Sequence, residues 1–393
     1  VKVLLLNDRL DPTGGSQLMT LGLRDGLRGR GHTVRTLASR AGIGDAGPTE
    51  ADVTCFGSQG TLQTLSRTVN PSAAAALRRE LRDFDPDVVH VRAFLTQLSP
   101  AILPLLRDRP AVMHAVMYDA VCPTGKKLLP SGSVCRERAG WVCKRQCLSW
   151  PAFGALMAQR GLYRRWRDAF DVVVANSQAT AEKLEADGIG PVRVVHNAVP
   201  DLPQRGPLHD PPLAVVVARL SREKGVDVAV RAFAIARERV AEARLLVIGD
   251  GPERAALERL TAELGLGEAV RFAGRLSRAE AQARAAPAWV QLVPSVWDEP
   301  FGLVAAEAMM RGTAVIASGS GGLAEIVEDG LTGWLHRPGE CAALAEPLTR
   351  VLRDRPLAQT VGAAARRRAM ERFTMARVLD DFESIYTEVT AHE

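Results

Sequence analysis

Short strings of aliphatic and β-branched residues alternate along this chain with longer stretches rich in Ala, Leu and Arg. The apolar strings Val3–Leu6, Val34–Leu37, Val88–Val91, Ala111–Met113, Val172–Ala175 and Val192–Val195 are candidate strands. Between them, Leu18–Arg28 and Ala73–Leu81 have helical spacing. A second series follows, with strands at Leu213–Ala218, Leu245–Ile248, Val270–Phe272, Trp289–Val293 and Ala314–Ala317. Its helices are predicted over Asp227–Val240, Glu253–Leu264, Leu303–Met310 and Cys341–Leu352. Strands that are apolar throughout, each followed by a helix, belong to parallel sheets covered on both faces. The fold class is therefore α/β with two doubly wound, Rossmann-like domains.

Between the two series, residues 198–212 hold five prolines and no regular pattern, which reads as a hinge. The expected domains are 1–197, with a Cys-rich insertion at about 122–147, and 213–372. Ligands of such sheets sit beyond the C-terminal strand ends, so both crevices are expected to open on a shared cleft. Length agrees, since 393 residues at roughly 150 per domain suggest two or three. With 24% charged and 47% hydrophobic residues, disorder is excluded. No apolar run approaches the roughly 18–20 residues of a membrane span. Val1–Asn7 reads as a strand rather than a secretory signal, and the expected compartment is the cytoplasm. A net charge of +5, carried mostly by Arg, goes with only 5% aromatic residues. That combination argues against a nucleic-acid binder.

Three segments carry chemistry. Glu299-Pro-Phe-Gly-Leu-Val-Ala-Ala-Glu307 follows a strand, and its Pro300 and Gly302 open a helix whose free amides suit an anion. Leu303 and Glu307 share a face of that helix, so Glu307 lies one turn below those amides. Arg219-Leu-Ser-Arg-Glu-Lys224-Gly225 follows another strand, and two cations there would neutralise a diphosphate without a metal. Gly14 and Gly15 link the first strand to the first helix, letting backbone approach a ligand, with Ser16 as a cap. Asp83-Phe-Asp-Pro-Asp87 has the spacing of a metal-binding D-x-D, but it directly precedes a strand and reads as its entry turn. No catalytic metal is expected.

Together these features resemble the retaining GT-B glycosyltransferases of family 4. The resemblance rests on the E-x7-E of Glu299 and Glu307, on Arg219 and Lys224, and on phrases such as LLVIGDGPERAALE and GGLAEIVEDGLTGWL. It implies that Glu307 binds the nucleotide ribose, and that Glu299 binds the hydroxyls of the donor sugar. Arg219 and Lys224 would stabilise the departing diphosphate, the backbone from Phe301 through Gly302, Leu303 and Val304 would touch sugar and phosphate, and Arg275 and Leu276 would flank the base. Gly14 and Gly15 would close on the diphosphate, and the last helix, from residue 373 onward, would cross back to the first domain.

In relatives with a Cys-rich segment, a His-Asp pair stands six and five residues before a Cys-Pro. Here those places hold Val116 and Met117 before Cys122-Pro123. His114, two residues earlier, is the candidate for the family's sugar-contacting His, with Tyr118 and Asp119 as acceptor-side candidates. Cys122, Cys135, Cys143 and Cys147 are read as a structural zinc set, with free thiols and disulfides as alternatives. Cys55 and Cys341 are read as inert core thiols. Arg160–Arg167 is a basic stretch of the kind that docks on membranes, though an outer helix is favoured.

The implied activity is transfer of a hexose-type sugar from a nucleotide diphosphate donor, with UDP favoured, to a hydroxyl of a small molecule or glycan. A nucleotide-sugar 2-epimerase and a non-catalytic nucleotide-sugar sensor are the alternatives.

Overall fold

A computed structural model describes residues 1–12, 14–41 and 49–391. The chain divides into two compact units. The first comprises residues 1–130 and 135–198 together with the segment from Met375 onward, and the second comprises 131–134 and 199–374.

The strands of the first unit are β1 (Lys2–Asn7), β2 (Thr33–Ser39), β3 (Val53–Cys55), β4 (Val88–Val91), β5 (Ala111–Ala115), β6 (Val172–Ala175) and β7 (Val192–Val194). They form one parallel sheet in the order β3-β2-β1-β4-β5-β6-β7. Its helices are α1 (Gly15–Gly29), α2 (Thr61–Thr68), α3 (Pro71–Asp83), α4 (Trp141–Gln146), α5 (Trp150–Trp166) and α6 (Gln178–Ala186). The strands lack polar alternation because helices cover both of their faces.

The second unit holds β8 (Leu213–Val217), β9 (Arg244–Ile248), β10 (Val270–Gly274), β11 (Val290–Val293), β12 (Ala314–Ser318) and β13 (Gly333–His336). These form a parallel sheet in the order β10-β9-β8-β11-β12-β13. Helices α7 (Val226–Arg237) and α12 (Cys341–Arg353) bury one face, around Phe233, Leu344 and Leu348. Helices α10 (Leu303–Arg311) and α13 (Arg355–Arg372) bury the other, around Met309, Ala365 and Phe373. The remaining helices of this unit are α8 (Arg254–Glu263), α9 (Arg278–Ala285) and α11 (Leu323–Ile326).

The last helix, α14 (Met375–Thr390), belongs to the first unit. It sets Val378, Phe382, Ile385 and Tyr386 against Val3, Leu5, Val88, Val112 and Val174 of the sheet. Charge fixes its position: Arg30 bonds Asp380 at 2.6 Å and Glu383 at 2.7 Å, and His32 bonds Glu383 at 2.9 Å.

The proline-rich stretch has no regular element, as expected, and it is hydrogen-bonded to the second unit. Val199 donates to Phe373 O at 2.8 Å, and Arg205 donates through its backbone to Arg311 O at 2.8 Å and through Nε to Gly312 O at 2.6 Å. In each sheet the strand order reverses beside the unit's first strand, between β1 and β4 and between β8 and β11. Loops leaving the C-terminal ends of such strands diverge and open a crevice. Among the described residues no helix is long and apolar enough to cross a membrane.

Candidate active site

In the second unit the crevice at the β8/β11 switch point is built from two loops that hold each other. The loop after β8 makes a short 3-10 turn at Arg222–Lys224 and ends at Gly225, with φ +60°. A side chain at Gly225 would collide with the carbonyl of Pro294, so only glycine lets the two loops approach. Val296 then donates its N–H to Glu223 O at 3.0 Å, tying the β11 loop across.

This juxtaposition brings Lys224 to Glu299. Lys224 Nζ donates to Glu299 Oε1 at 2.6 Å, Ser295 Oγ donates to the same oxygen at 2.6 Å, and the ammonium lies 5.3 Å from the centre of the Trp297 ring. Both bonds fall on Oε1, so Oε2 is outside them. Glu299 is only 7% exposed, which fixes the carboxylate rather than leaving it to sample solvent. Arg219 extends into solvent from the start of the same loop, with no ion pair or hydrogen bond to its guanidinium among the described residues.

Gly302, at φ +113°, turns the chain into α10. A Cβ there would press on Leu323, so glycine is again required. The first amides of α10 have no acceptor within the helix, which leaves donors and a partial positive charge at its N-terminus. Leu303 and Val304 are half-buried at that end. The Phe301 ring packs edge-on against Phe373, 5.6 Å between centroids, inside the core.

One turn into α10, Glu307 is gripped by α9. Arg278 pairs with Oε1, and Gln282 Nε2 donates to Oε2 at 2.9 Å. Behind them Arg311 is 4% exposed and donates to the side-chain carbonyls of both Gln282 and Gln291, the latter at 2.7 Å. Gln291 Nε2 in turn donates to Val304 O at 2.8 Å, in the first turn of α10. Burial lowers the Arg311 pKa to about 10, against the opposing pull of Glu307.

Sequence reasoning missed Arg278, Gln282, Gln291, Ser295 and Arg311. The one local signal was Ser277-x-x-Glu280, a capping box that starts α9 immediately after Arg275 and Leu276. Arg275 is exposed there, whereas Leu276 leans on the small apolar cluster around Leu246 and Ile248.

The crevice of the first unit is held by Asp8, just past β1. Its carboxylate accepts from Thr96 N at 2.8 Å, Thr96 Oγ1 at 2.7 Å, Gln97 N at 2.7 Å and Leu98 N at 2.8 Å. Gly14 caps α1 and Gly15 begins it; Thr13 lies outside the described residues. Ser16 does not serve as the cap, since Gly14 occupies that place and no side-chain cap bond forms.

His114 does not fit the sugar-contacting role expected of it. It points from β5 into the core and is 1% exposed, with its ring 5.0 Å from Phe382 and 5.4 Å from His90. Burial, then Arg92 and His90, hold its pKa well below the ordinary histidine value. Tyr118 is likewise a core ring, with Lys183 Nζ 5.3 Å above it. Asp119 is different. It is half-buried, and burial followed by the Asp8 charge pushes its pKa up to about 6.

The four clustered cysteines are free thiols, as are Cys55 and Cys341. Cys122 Sγ lies 3.2 Å from Thr124 Oγ1, while Cys135 Sγ turns to Glu137 O at 3.9 Å. They are near enough to raise the thiol pKa values of Cys143 and Cys147, after burial. Among the described residues, however, no group of three or more His, Cys, Asp or Glu is placed to hold a metal. The acidic turn before β4 is spent on structure: Asp83 bonds Arg82, Asp85 bonds Arg109, and Asp87 accepts from Lys2 N.

Two parallel-sheet Rossmann-like units, each with a switch point at the C-terminal ends of its strands, are the architecture of the GT-B fold. Residues 13–201 match the model of Glycosyltransferase Family 4 and residues 200–368 that of Glycosyl transferases group 1. The chain belongs to this glycosyltransferase family. It is 31% identical over 318 residues to an alpha-maltose-1-phosphate synthase of Mycobacterium tuberculosis, covering 77% of this chain and 79% of that one. Over 153 residues it is 40% identical to the 2-deoxystreptamine glucosyltransferase of Streptomyces kanamyceticus, 39% of this chain and 38% of the relative. Sucrose-phosphate synthase from Thermosynechococcus elongatus shares its fold at a TM-score of 0.76 and 23% identity, over the full length of both chains. Anabaena HepE, solved with UDP and glucose, does so at 0.71 and 21%, covering 98% and 99%.

Proposed function

We propose that this glycosyltransferase moves a hexose-type sugar, with retention, from a nucleotide diphosphate sugar to a hydroxyl of a small acceptor, and that UDP is the nucleotide. The observation that carries this reading is the pair of fixed carboxylates around the start of α10. Glu299 is pinned by Lys224 and Ser295, and Glu307 by Arg278 and Gln282. A phosphate at the helix N-terminus would lie between groups suited to sugar hydroxyls on one side and ribose hydroxyls on the other.

In this reading Lys224 and Arg219 take the charge that develops as the bond from the anomeric carbon to the diphosphate oxygen breaks. The acceptor oxygen bonds to the same carbon on the same face, and its proton passes to a departing phosphate oxygen. Asp119, the half-buried carboxyl of the first unit, is assigned to acceptor contact in place of His114 and Tyr118. HepE was solved with UDP-glucose, which supports the choice of nucleotide. The relative that glucosylates 2-deoxystreptamine supports a hydroxylated aminocyclitol-like acceptor.

A thermal-shift panel of nucleoside diphosphates tests the donor. Stabilisation by UDP and UDP-sugars, lost in Glu307→Ala, is expected. Equal stabilisation by GDP would refute the base assignment, and no response to any diphosphate would refute the site.

A further inference from the structure

Segment 126–167 carries ten Lys and Arg, three of the chain's six Lys among them, against one carboxylate, Glu137. The rest of the chain is net negative by 4, so the excess positive charge of the protein resides in this segment. In the same segment Trp141 and Trp150 are 63% and 64% exposed, in a chain with few aromatic residues. They are not scattered. The two indoles lie 6.1 Å apart edge to face, Trp141 stacks on Phe153 at 5.4 Å, and Lys144 Nζ sits 4.5 Å from the Trp150 ring.

The apolar surface continues onto α2, whose Leu65 is 68% exposed. Thr68 Oγ1 there donates to Ala155 O at 3.2 Å, seating α2 beside the turn of α5 that follows Phe153. At the far end of α5 two of the cations are already occupied. Arg160 bonds the Asp187 carboxylate at 2.7 Å, and Arg164 approaches it at 3.5 Å. The exposed anchor is therefore α4 and the first turn of α5, not the Arg160–Arg167 stretch singled out in the sequence.

We propose that α4 and the start of α5 form an interfacial docking surface for an anionic lipid bilayer. Trp141 and Trp150 enter at headgroup depth, where an indole satisfies both its apolar ring and its N–H. Lys144 and Arg145 face the lipid phosphates, and the near absence of carboxylates leaves the local field unopposed. Charge complementarity selects this occupant over a protein of ordinary surface composition. A single-stranded nucleic acid fits less well, because it needs open ring faces on which to stack. Here the face of Trp150 is covered by Lys144, and Trp150 meets Phe153 edge-on, at 83°.

The test is co-sedimentation of the purified full chain with vesicles of phosphatidylcholine alone or with phosphatidylglycerol added. Binding is expected only to the anionic vesicles, and it should weaken when salt is raised to about 0.5 M. Trp141→Ala/Trp150→Ala and Lys144→Glu/Arg145→Glu should each weaken it by about tenfold or more, with thermal midpoints near the parent value to show that both variants fold. Failure of the parent to sediment with anionic vesicles overturns the proposal, as does undiminished binding by the folded Trp variant. Retention of the parent by a labelled RNA oligonucleotide but not by vesicles would also overturn it.

Discussion

Replacing Arg311 by Met separates stability from ligand binding, because the two effects of that change oppose each other in the fold. Arg311 is a buried cation, and burial holds its pKa down to about 10 from 12.5. At about 1.4 kcal/mol per pH unit, this is roughly 3 kcal/mol working against the charged form, which Met does not suffer. Met also removes two donors. The side-chain oxygen of Gln291, fully buried, loses its partner, a change that costs about 1–3 kcal/mol. Gln282 is half-buried, so water can replace the bond it loses. Net stability should therefore move by no more than about 2 kcal/mol, several degrees in thermal midpoint.

The site should respond more strongly. Gln282 holds Glu307, and Gln291 holds the first turn of α10 through Val304 O. With both glutamines untethered, affinity for a nucleotide diphosphate sugar should fall about tenfold, or 1.4 kcal/mol. Calorimetric titration of the donor and a thermal melt of the same sample give both numbers. Arg311→Lys keeps the charge but cannot span both amides, so it should fall in between. A folded Met variant with parental affinity would refute the relay from Arg311 to Glu307.

Lys224→Ala and Glu307→Ala should each reduce transfer by at least about a hundredfold while the melt stays cooperative, read by release of nucleoside diphosphate. Glu299→Gln keeps the bond from Ser295 but loses the charge opposite Lys224, so turnover should fall with little change in thermal midpoint. With a pKa of about 6 against an ordinary carboxyl near 4, Asp119 makes the folded state bind the extra proton between those values. Its contribution to stability therefore falls as pH rises through that window, by about 1 kcal/mol once partial exposure is discounted. Asp119→Asn should flatten that slope in melts taken from pH 4 to 7. His114 works in the other sense: it is neutral when folded, so protonation of the unfolded chain below about pH 6.5 erodes stability as pH falls. His114→Phe should weaken that acid loss without abolishing transfer, and an inactive but folded variant would return His114 to the site.

The fold was readable because its central strands are apolar from end to end. Val88–Val91 and Val172–Ala175 were placed to the residue. The strands that escaped, β3 and β13, are the outermost on one side of each sheet. They are short, and their Thr54, Gly333 and His336 interrupt the apolar run that marks a strand buried on both faces. Helix α9 escaped for a related reason, since its only fully buried residue is Ala285. A helix with so little core to cover writes almost no period into the sequence.

The same logic divides the site. Lys224 and Glu299 were legible because each stands a few residues beyond a strand that can be recognised, and strand order alone then brings their loops to one switch point. The grip on Glu307 was not, because it depends on how α9 lies beside α10, and its members come from positions 20–29 residues apart that no local pattern links. His114 was misplaced through the reverse omission. In β5 its side chain points to the same side as Val112, and that side is covered by α14, which arrives from the far end of the sequence and brings Phe382.

The titratable candidate left just past β5 in the first unit is thus the half-buried Asp119 carboxyl rather than an imidazole. A carboxyl near neutrality can accept a hydrogen bond from an acceptor hydroxyl or give one, depending on pH. Acceptor affinity should then follow the titration of Asp119, while affinity for the diphosphate, set by the permanent charge of Arg219 and by Lys224, should not. Measuring the two affinities across pH 5–7 distinguishes this arrangement from one with a histidine at the sugar. A histidine would make donor affinity change as the ring titrates.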